Sequence, residues 1–531
     1  MARELAKADS HDLVGEPNHF KLSTPDPCVL TSSVKLGQGD FIVSRKKRKN
    51  KRGVSGNKKP LTARPVTSKR KTRRRGGLPV DNAPENINSL KQVNLNAAGI
   101  DIASGVHFVA VPAERDPTNH VRSFGAFTAD LHGIADWLRE CQITTVAMES
   151  TGVYWIPLFE LLEREGFEVI LVEPSQIKKF RRKTDVLDCQ WIQTLHTFGL
   201  LTGSFRPADD IIVLRGYMRQ REMLVKHAAQ HVQHMQKAME QMNLKLTEVI
   251  SDICGVTGLA IIDAILAGER DPQKLARHRN DRCKNDEATI ALALQGSWRD
   301  EHLFSLKQAV ELYRYYHEKI AEVDECIERY LGSMEDKSGG KPLPKLPRSK
   351  QRSKRGNDPK FDSRSLLHRL TGADLTTIDG IAEHSALQIV SEIGLDMSAW
   401  PTANHFVSWL SLCPELNKSG GKKQKKGKSR THRSGNRVAQ ALRVSAQTLI
   451  QSKCALGAYV RRIKARDGAP SAITATARKL AIIIYTMLKE GGEYRDIGAE
   501  AYDARYRERQ VNSLRRRAEH LGFDISPSPA A

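Results

Sequence analysis

No stretch of the chain approaches the roughly 18 consecutive apolar residues that are typical of a membrane span. Its longest compact candidate, Leu480–Leu488, is about half the length of a membrane span, so a transmembrane protein is not expected. Residues 1–12 (MARELAKADSHD) lack the apolar core of a secretory signal. The eight cysteines include no CxxC pair, and no HExxH motif is present. This pattern favours reduced cytosolic thiols over a zinc module or a disulfide framework.

Acidic residues are almost absent from the most basic parts of the chain. The 84 Lys and Arg and 61 Asp and Glu give a net charge of +23. Residues 45–75 carry 16 basic residues and no acid, residues 418–437 carry nine and no acid, and residues 337–360 carry nine with one Asp. The rest of the chain is therefore net −10. A mildly acidic body with three cationic segments indicates a polyanionic partner, above all a nucleic acid. Aromatic residues make up only 6%, which disfavours broad base-stacking platforms.

Residues 1–92 have the composition of a disordered arm, with much Ser, Pro, Asn, Lys and Arg and few aromatics. The block over residues 45–75 is predicted to make salt-sensitive phosphate contacts. The alternative is a tail that only increases solubility.

From residue 93 the pattern changes to short apolar strands and amphipathic helices. Strands are predicted over residues 97–103, 106–111, 121–128, 144–148 and 167–172, with helices over residues 131–141, 153–164 and 185–200. This order predicts a mixed sheet with helices packed on it, an α/β domain over residues 93–203. It is also the order of a ribonuclease-H-like (RuvC-like) fold.

Two later segments repeat apolar residues at alternating intervals of three and four. The repeats are Val225, Ala228, Val232, Met235, Met239, Met242, Leu246 and Val249, and then Leu306, Ala309, Tyr313, Tyr316, Ile320, Val323, Ile327 and Tyr330. The spacing predicts a coiled-coil domain over residues 204–336, packed within the chain or between chains, with a helical insertion at 254–302. His227, His231 and His234 share one helical face, which we interpret as solvated or RNA-facing rather than metal-binding.

Residues 337–362 contain Pro, Gly and Lys without an apolar period and are predicted to form a basic linker. A mostly helical domain follows over residues 363–490, and then a polar, partly helical tail over residues 491–531. Residues 375–394 fit a helix-hairpin-helix, in which Gly380 turns the backbone toward a phosphate. They fit equally an αα-hairpin that supports the core.

Four acids stand where such a domain could use them. Asp101 lies in the first strand, Glu149 follows the central strand, and Asp185 and Asp188 are spaced to share one helical face. A charge at the end of a buried strand is costly unless it is paired or binds a metal. Converging carboxylates suit Mg²⁺, although an exposed DxxD pair more often faces solvent.

The motif NKSGGK stands at the start of the cationic segment over residues 418–437, and in it Ser419 precedes two glycines. Glycines let the backbone approach a phosphate, lysines neutralise its charge, and the Ser419 hydroxyl could attack phosphorus. The alternative is a phosphate-contacting loop in which the serine is incidental. The predicted nucleic-acid contacts are Lys418, Gly420, Gly421, Lys422, Lys423, Lys425, Lys426, Lys428, Arg430, Arg433 and Arg437. A P-loop ending at Ser429 is excluded because five residues, not four, separate Gly421 from Gly427, and no strand feeds the loop.

The motifs GIDIAS, MESTGVYW and VEPSQIKKFRRKTDVLDCQWIQTL resemble the DEDD transposases of the IS-one-ten and IS-eleven-eleven type. FRPADDIIVLRGYMRQR, HVQHMQKAMEQMN and DMSAWPTANHFVSWLSLCP extend the resemblance over about residues 93–500. It implies that Asp101, Glu149, Asp185 and Asp188 are the metal ligands of a RuvC-like domain and that Ser419 is the nucleophile, although Ser429 and Ser434 lie nearby.

The resemblance also implies partners and a location. These are Mg²⁺ without a nucleotide cofactor, donor and target double-stranded DNA, a non-coding guide RNA, and a homo-oligomer (dimer or tetramer) formed through the coiled coil. The expected location is the prokaryotic cytoplasm, at the nucleoid. Two other functions remain open at this point: a metal-dependent resolvase-type nuclease that uses water, and a catalytically inactive nucleic-acid-binding relative.

Overall fold

A computed structural model describes residues 90–177, 184–346, 354, 356–414, 431 and 435–526. The basic arm over residues 45–75 lies outside the described residues. So do Ser419, Ser429, Ser434 and every predicted nucleic-acid contact except Arg437. We call residues 415–434 the serine loop.

The first part of the described chain forms a five-stranded mixed sheet. Its strands are β1 (Ala97–Ile102), β2 (Val106–Ala110), β3 (Val121–Gly125), β4 (Thr145–Glu149) and β5 (Glu168–Val172). The order across the sheet is β3-β2-β1-β4-β5. β2 is antiparallel to both β1 and β3, whereas β4 is parallel to both β1 and β5. The predicted mixed sheet is confirmed, and its order is consistent with a ribonuclease-H-like domain.

Helices cover both faces of this sheet. They are α1 (Thr128–Glu140), α2 (Trp155–Arg164), the short α3 (Pro174–Ile177), which was not predicted, and α4 (Asp185–Thr197). Alternate residues of a strand point to opposite faces. Ile100, Val146 and Met148 therefore pack with α1 and α2 in one core, while Ala147 packs with Ile192 of α4 in another.

Two long helices, α5 (Asp209–Gln241) and α10 (Asp300–Ser333), then pack antiparallel along each other. Tyr330 lies beside Asp210 at one end, and Tyr316 stacks on His231 farther along. The repeating apolar residues are buried or partly buried within this one chain, and packing within the chain is one of the two arrangements that the repeat predicted. The repeat was also extended too far, because α5 ends at Gln241 and Leu246 and Val249 belong to a separate short helix.

The distant end of this helix pair carries a small helical cap. Its helices are α6 (Leu246–Val249), α7 (Val256–Leu266), α8 (Pro272–Ala276) and α9 (Glu287–Ala293). They share a core with Met235, Met239, Leu306 and Val310 of the long helices.

The largest core belongs to the C-terminal helices. They are α11 (Ser363–Thr371), α12 (Glu383–Ile393), α13 (Ala403–Trp409), α14 (Arg437–Thr448), α15 (Ala455–Asp467) and α16 (Ala469–Glu490), with single turns at Leu375–Thr377 and Leu449–Gln451. Leu214, Met218, Ile327 and Leu331 of the long helices also join this core. Gly380 packs against the Ser445 carbonyl and Leu449, which favours the core-supporting hairpin over a phosphate-facing one.

One further finding differs from the sequence expectations. The ends of the predicted linker are packed rather than free, since Ser338 and Phe361 are buried. The tail, predicted to be partly helical, contains the 22-residue helix α17 (Ala499–His520).

One described helix, α16, is long and apolar enough to cross a membrane by length and composition. Its residues Ala472, Leu480 and Ile484 are fully buried in the C-terminal core. This burial is the usual behaviour of a core helix in a globular domain. The seven described cysteines are free thiols.

Candidate active site

The register of two parallel strands places Asp101 beside Glu149. Ile100 of β1 pairs with Met148 of β4, so the next residue of each strand is one of the two acids. Gly99 lies two residues before Asp101, and Ala147 lies two residues before Glu149. Gly99 and Ala147 both face α4. Because side chains alternate along a strand, both carboxylates point to the face that α4 covers. Each is partly exposed at the carboxyl end of its strand.

The first turn of α4 carries Asp188 on the side of the sheet where Asp101 lies. Thr184 caps this helix by accepting a hydrogen bond from the Leu187 amide at 3.3 Å. Burial raises the pKa of the adjacent Cys189 thiol to about 12, and the charges of Asp101 and Asp188 both contribute to the increase. Cys189 therefore lies close to both carboxylates. Asp185 is exposed in the same first turn, where the positive end of the helix dipole favours acids.

A glycine permits this close approach of helix and strand. A Cβ atom at Gly99 would lie 2.2 Å from the Gln193 nitrogen and 2.5 Å from the Cys189 carbonyl oxygen. These are backbone atoms of α4, which cannot move aside as a flexible side chain would. The helix thus rests directly on β1, two residues before Asp101.

The donor set is suited to a hard cation, although it is sparse. Among the described residues, no three His, Cys, Asp or Glu side chains are grouped closely enough to hold one metal ion. Mg²⁺ is commonly held by only one or two protein carboxylates together with substrate phosphates. The adjacent Asp101 and Glu149 fit that arrangement, with Asp188 approaching from α4.

Exposed apolar side chains border the acids. Val153 and Tyr154 follow Glu149, and Val186 and Leu187 lie between Asp185 and Asp188. An apolar border around a polar centre is typical of a surface that a large ligand covers.

The base of the serine loop lies in the C-terminal domain. Pro414 and Thr431, the described residues on either side of 415–430, form an antiparallel bridge. Asn436 caps α14 by accepting a hydrogen bond from the Ala439 amide at 3.1 Å.

Three arginines converge on one glutamate beside this base. Arg219 binds both carboxylate oxygens of Glu392, at 3.0 and 2.9 Å, and Arg215 reaches the same carboxylate at 3.2 Å. Arg437 pairs with Glu222 and lies 3.9 Å from Glu392. Arg437, predicted as a nucleic-acid contact, thus helps to join α14 to α5 and α12. The group lines a cavity of about 270 Å³.

A short segment before α5 connects the sheet domain to the domain of the C-terminal helices. The Ser204 amide donates to the Leu171 carbonyl of β5 at 2.6 Å, and Arg206 binds Glu163 of α2 at 3.1 Å. Between them, the Phe205 ring lies 4.6 Å from that of Trp400 and 5.3 Å from that of Trp409. We call residues 204–206 the joint.

Two models of known protein families match segments of this chain. A family model described as a transposase, DEDD_Tnp_IS110, matches residues 98–244. A second, described as the transposase IS116/IS110/IS902 family, matches residues 372–461. The chain belongs to this transposase family. No curated protein matches it. The first match contains all four acids and the second contains Ser419, and an IS110-family transposase is an enzyme that acts on DNA.

Several contacts of this transposase were not anticipated from its sequence. Gly99 appears within an ordinary strand pattern, and its role is visible only once α4 is in place. The joint has a partial signal in Pro207, because the residue before a proline is biased away from the helical conformation and marks a probable helix boundary. The group of Arg215, Arg219 and Glu392 had no signal in the sequence, because Glu392 lies about 170 residues from the two arginines.

Proposed function

We propose that the chain exchanges DNA strands by metal-assisted transesterification through a phosphoserine intermediate. The observation that supports this most is the parallel register that sets Asp101 beside Glu149, with Asp188 at the first turn of α4. Asp101, Glu149, Asp185 and Asp188 would hold Mg²⁺, which when bound stabilises charge on the scissile phosphate.

The Ser419 hydroxyl is the proposed nucleophile. Its oxygen attacks phosphorus, the bond to the departing strand oxygen breaks, and that oxygen takes up a proton. A strand hydroxyl then attacks the phosphoserine, and the serine departs with its proton restored. The number of phosphodiester bonds is unchanged, so the exchange needs no ATP.

The lysines and arginines of residues 418–433 would neutralise the phosphates that surround the serine. A guide RNA that pairs with both DNA partners, and an oligomer in which one chain's acids meet another chain's serine, complete the proposal. The helix pair is packed on itself, so the oligomer would use a different surface. The proposed location is the cytoplasm, at the nucleoid.

The experiment is the trapping of a protein–DNA adduct that survives denaturation. Ser419→Ala should form none, while the matched variant Ser429→Ala should form it at the parental level. Asp101→Asn should lose both adduct formation and strand exchange but still bind DNA. An active Ser419→Ala alongside an inactive Ser429→Ala would show that the nucleophile is misassigned.

The same experiment separates the proposal from its alternatives. A resolvase-type nuclease cleaves with water, so it would cut DNA in both serine variants and leave no adduct. An inactive relative would bind DNA without cutting it, and Asp101→Asn would then behave as the parent does.

A further inference from the structure

Helix α17 projects from the C-terminal domain after its first two turns. Tyr502 is buried against α15, where its ring lies 6.4 Å from that of Tyr459. From Arg507 to His520, every side chain but that of Ala518 is exposed. The helix lies outside both family matches, which end at residues 244 and 461. Its role is therefore not covered by the proposed catalytic site.

The exposed part of this helix carries an excess of positive charge. Residues 505–517 contain six arginines and one acid, Glu508. None of these arginines forms an ion pair with another described residue. At about 100° per residue, Arg509, Arg516, Arg517 and His520 lie on one side of the helix. That side continues the one that buries Tyr502.

A second cationic group lies under the inner end of the same face. The Arg462 guanidinium lies 3.8 Å from the Tyr506 ring and 5.2 Å from the Tyr502 ring, and Lys479 lies 4.8 Å from the ring of Tyr459. The Arg462 Nη1 atom is buried and has no hydrogen-bond partner among the described residues. Burial lowers the pKa of Lys479, and the charges of Arg462 and Arg509 lower it further. Two cations, Arg462 and Lys479, are thus held together against tyrosine rings with the charge of Arg509 nearby, a costly arrangement that an anion would relieve.

We propose that α17 binds duplex DNA, with Arg509, Arg516, Arg517 and His520 contacting phosphates along the helix and Arg462 and Lys479 contacting them at its base. A helix with its side chains is about 10–12 Å across, which fits the major groove of B-form DNA at about 12 Å. The major groove of an RNA duplex is deep and narrow and does not admit side chains in this way. The contact is independent of Ser419 and of the metal site.

The test compares two charge-matched double variants of the full chain. Arg516→Gln/Arg517→Gln alters the proposed face, whereas Arg507→Gln/Arg515→Gln removes the same charge from the opposite side of α17. Binding to a DNA duplex of about 40 base pairs and to an RNA hairpin is measured by fluorescence anisotropy across a salt series. EDTA is present, so failure of the proposed chemistry cannot affect the result. The thermal unfolding midpoint verifies that each variant is folded.

We expect Arg516→Gln/Arg517→Gln to weaken duplex binding about tenfold at 150 mM salt and to reduce the salt slope by about 1.8, or 0.9 for each lost phosphate contact. The matched variant should stay within about twofold of the parent, and RNA binding should change less than DNA binding. Equal losses in both double variants would overturn the proposal, because they would reflect net charge alone. A larger loss for the RNA would overturn it in favour of RNA. Unchanged binding with an altered oligomeric state in ultracentrifugation would overturn it in favour of a protein interface.

Discussion

Gly99 and Asp101 lie two residues apart on the same face of β1. The contact of α4 with Gly99 sets the position of that helix relative to Asp101. Only a residue without a Cβ lets α4 rest on the strand, and α4 carries Asp185 and Asp188 in its first turn. The positions of the acids at strand and helix ends were predictable from the apolar pattern. The glycine contact was not, because it depends on a helix nearly 100 residues away in the sequence.

Replacing Gly99 with alanine tests this contact. The new methyl group would meet backbone atoms of α4, so we expect a loss of about 1–3 kcal/mol in the free energy of unfolding and a strong loss of strand exchange. Gly105→Ala is the control, because a Cβ there meets nothing within 4 Å. Urea unfolding gives the stability of both variants, and equal stabilities would contradict the proposed contact.

His196 makes the sheet domain sensitive to acid. Its buried ring bonds to the Thr145 hydroxyl at 2.9 Å, and burial lowers its pKa from 6.5 to about 4. As pH falls below 6.5 the unfolded chain takes up this proton before the folded chain does, so stability present above pH 6.5 is lost toward pH 4. We expect the loss to be about 1–3 kcal/mol. His196→Gln should be less stable at pH 7.5 but should lose less stability between pH 6.5 and 4.5, as followed by urea unfolding.

The two long helices illustrate what an apolar repeat predicts at the scale of an element. The repeat correctly indicated that α5 and α10 have facing apolar seams. It did not reveal that the seam also contains Arg221 and Asp324, both almost fully buried. Arg221 lies four residues before Val225 and continues the spacing with a charged residue, whereas Asp324 directly follows Val323 of the repeat. A pattern of apolar residues cannot reveal a buried ion pair.

This buried pair should behave unlike a surface one. Arg221 binds Asp324 at 2.5 and 3.2 Å, and the Asn357 carbonyl and the Lys360 amide complete their hydrogen bonds. Arg221→Met alone leaves a buried carboxylate unpaired, so we expect it to cost about 3–5 kcal/mol.

The double variant Arg221→Met/Asp324→Leu should recover much of that loss, as measured by a double-mutant cycle in urea. The exposed Arg314–Asp263 pair provides the control, and removing it should cost less than about 1 kcal/mol. Additive costs at the buried pair would contradict the coupling.

At the scale of the whole molecule, the sequence predicted a sheet domain, a helical spacer and a helical serine domain, but not how they meet. The aromatic residues are few, yet five of them gather at one place: Phe205, Trp400, Phe406, Trp409 and Tyr485. Phe205 is about 200 residues or more from each of the others in sequence. No local pattern could have joined them, because the contact forms only when both domains are folded.

Phe205→Ala should uncouple the two domains. Removing the ring leaves a gap beside Trp400 and Trp409, so we expect a loss of about 2–4 kcal/mol and two calorimetric transitions in place of one. Limited proteolysis should become faster within residues 202–208. Phe304→Ala, at an exposed position on α10, should change neither result. A single unshifted transition in Phe205→Ala would show that the joint does not couple the domains.

The joint lies at the root of α5, and this has a mechanical consequence. A helix of 33 residues is about 50 Å long, so a rotation of about 10° at the root would carry its tip through about 9 Å. The helical cap around Met235 and Leu306 would sweep that distance while the residues at the joint shifted by less than a bond length. A ligand that binds the cap would therefore act through a long lever arm on the angle between the sheet domain and the C-terminal helices, and a small adjustment near Asp101 and Glu149 can be set from far away.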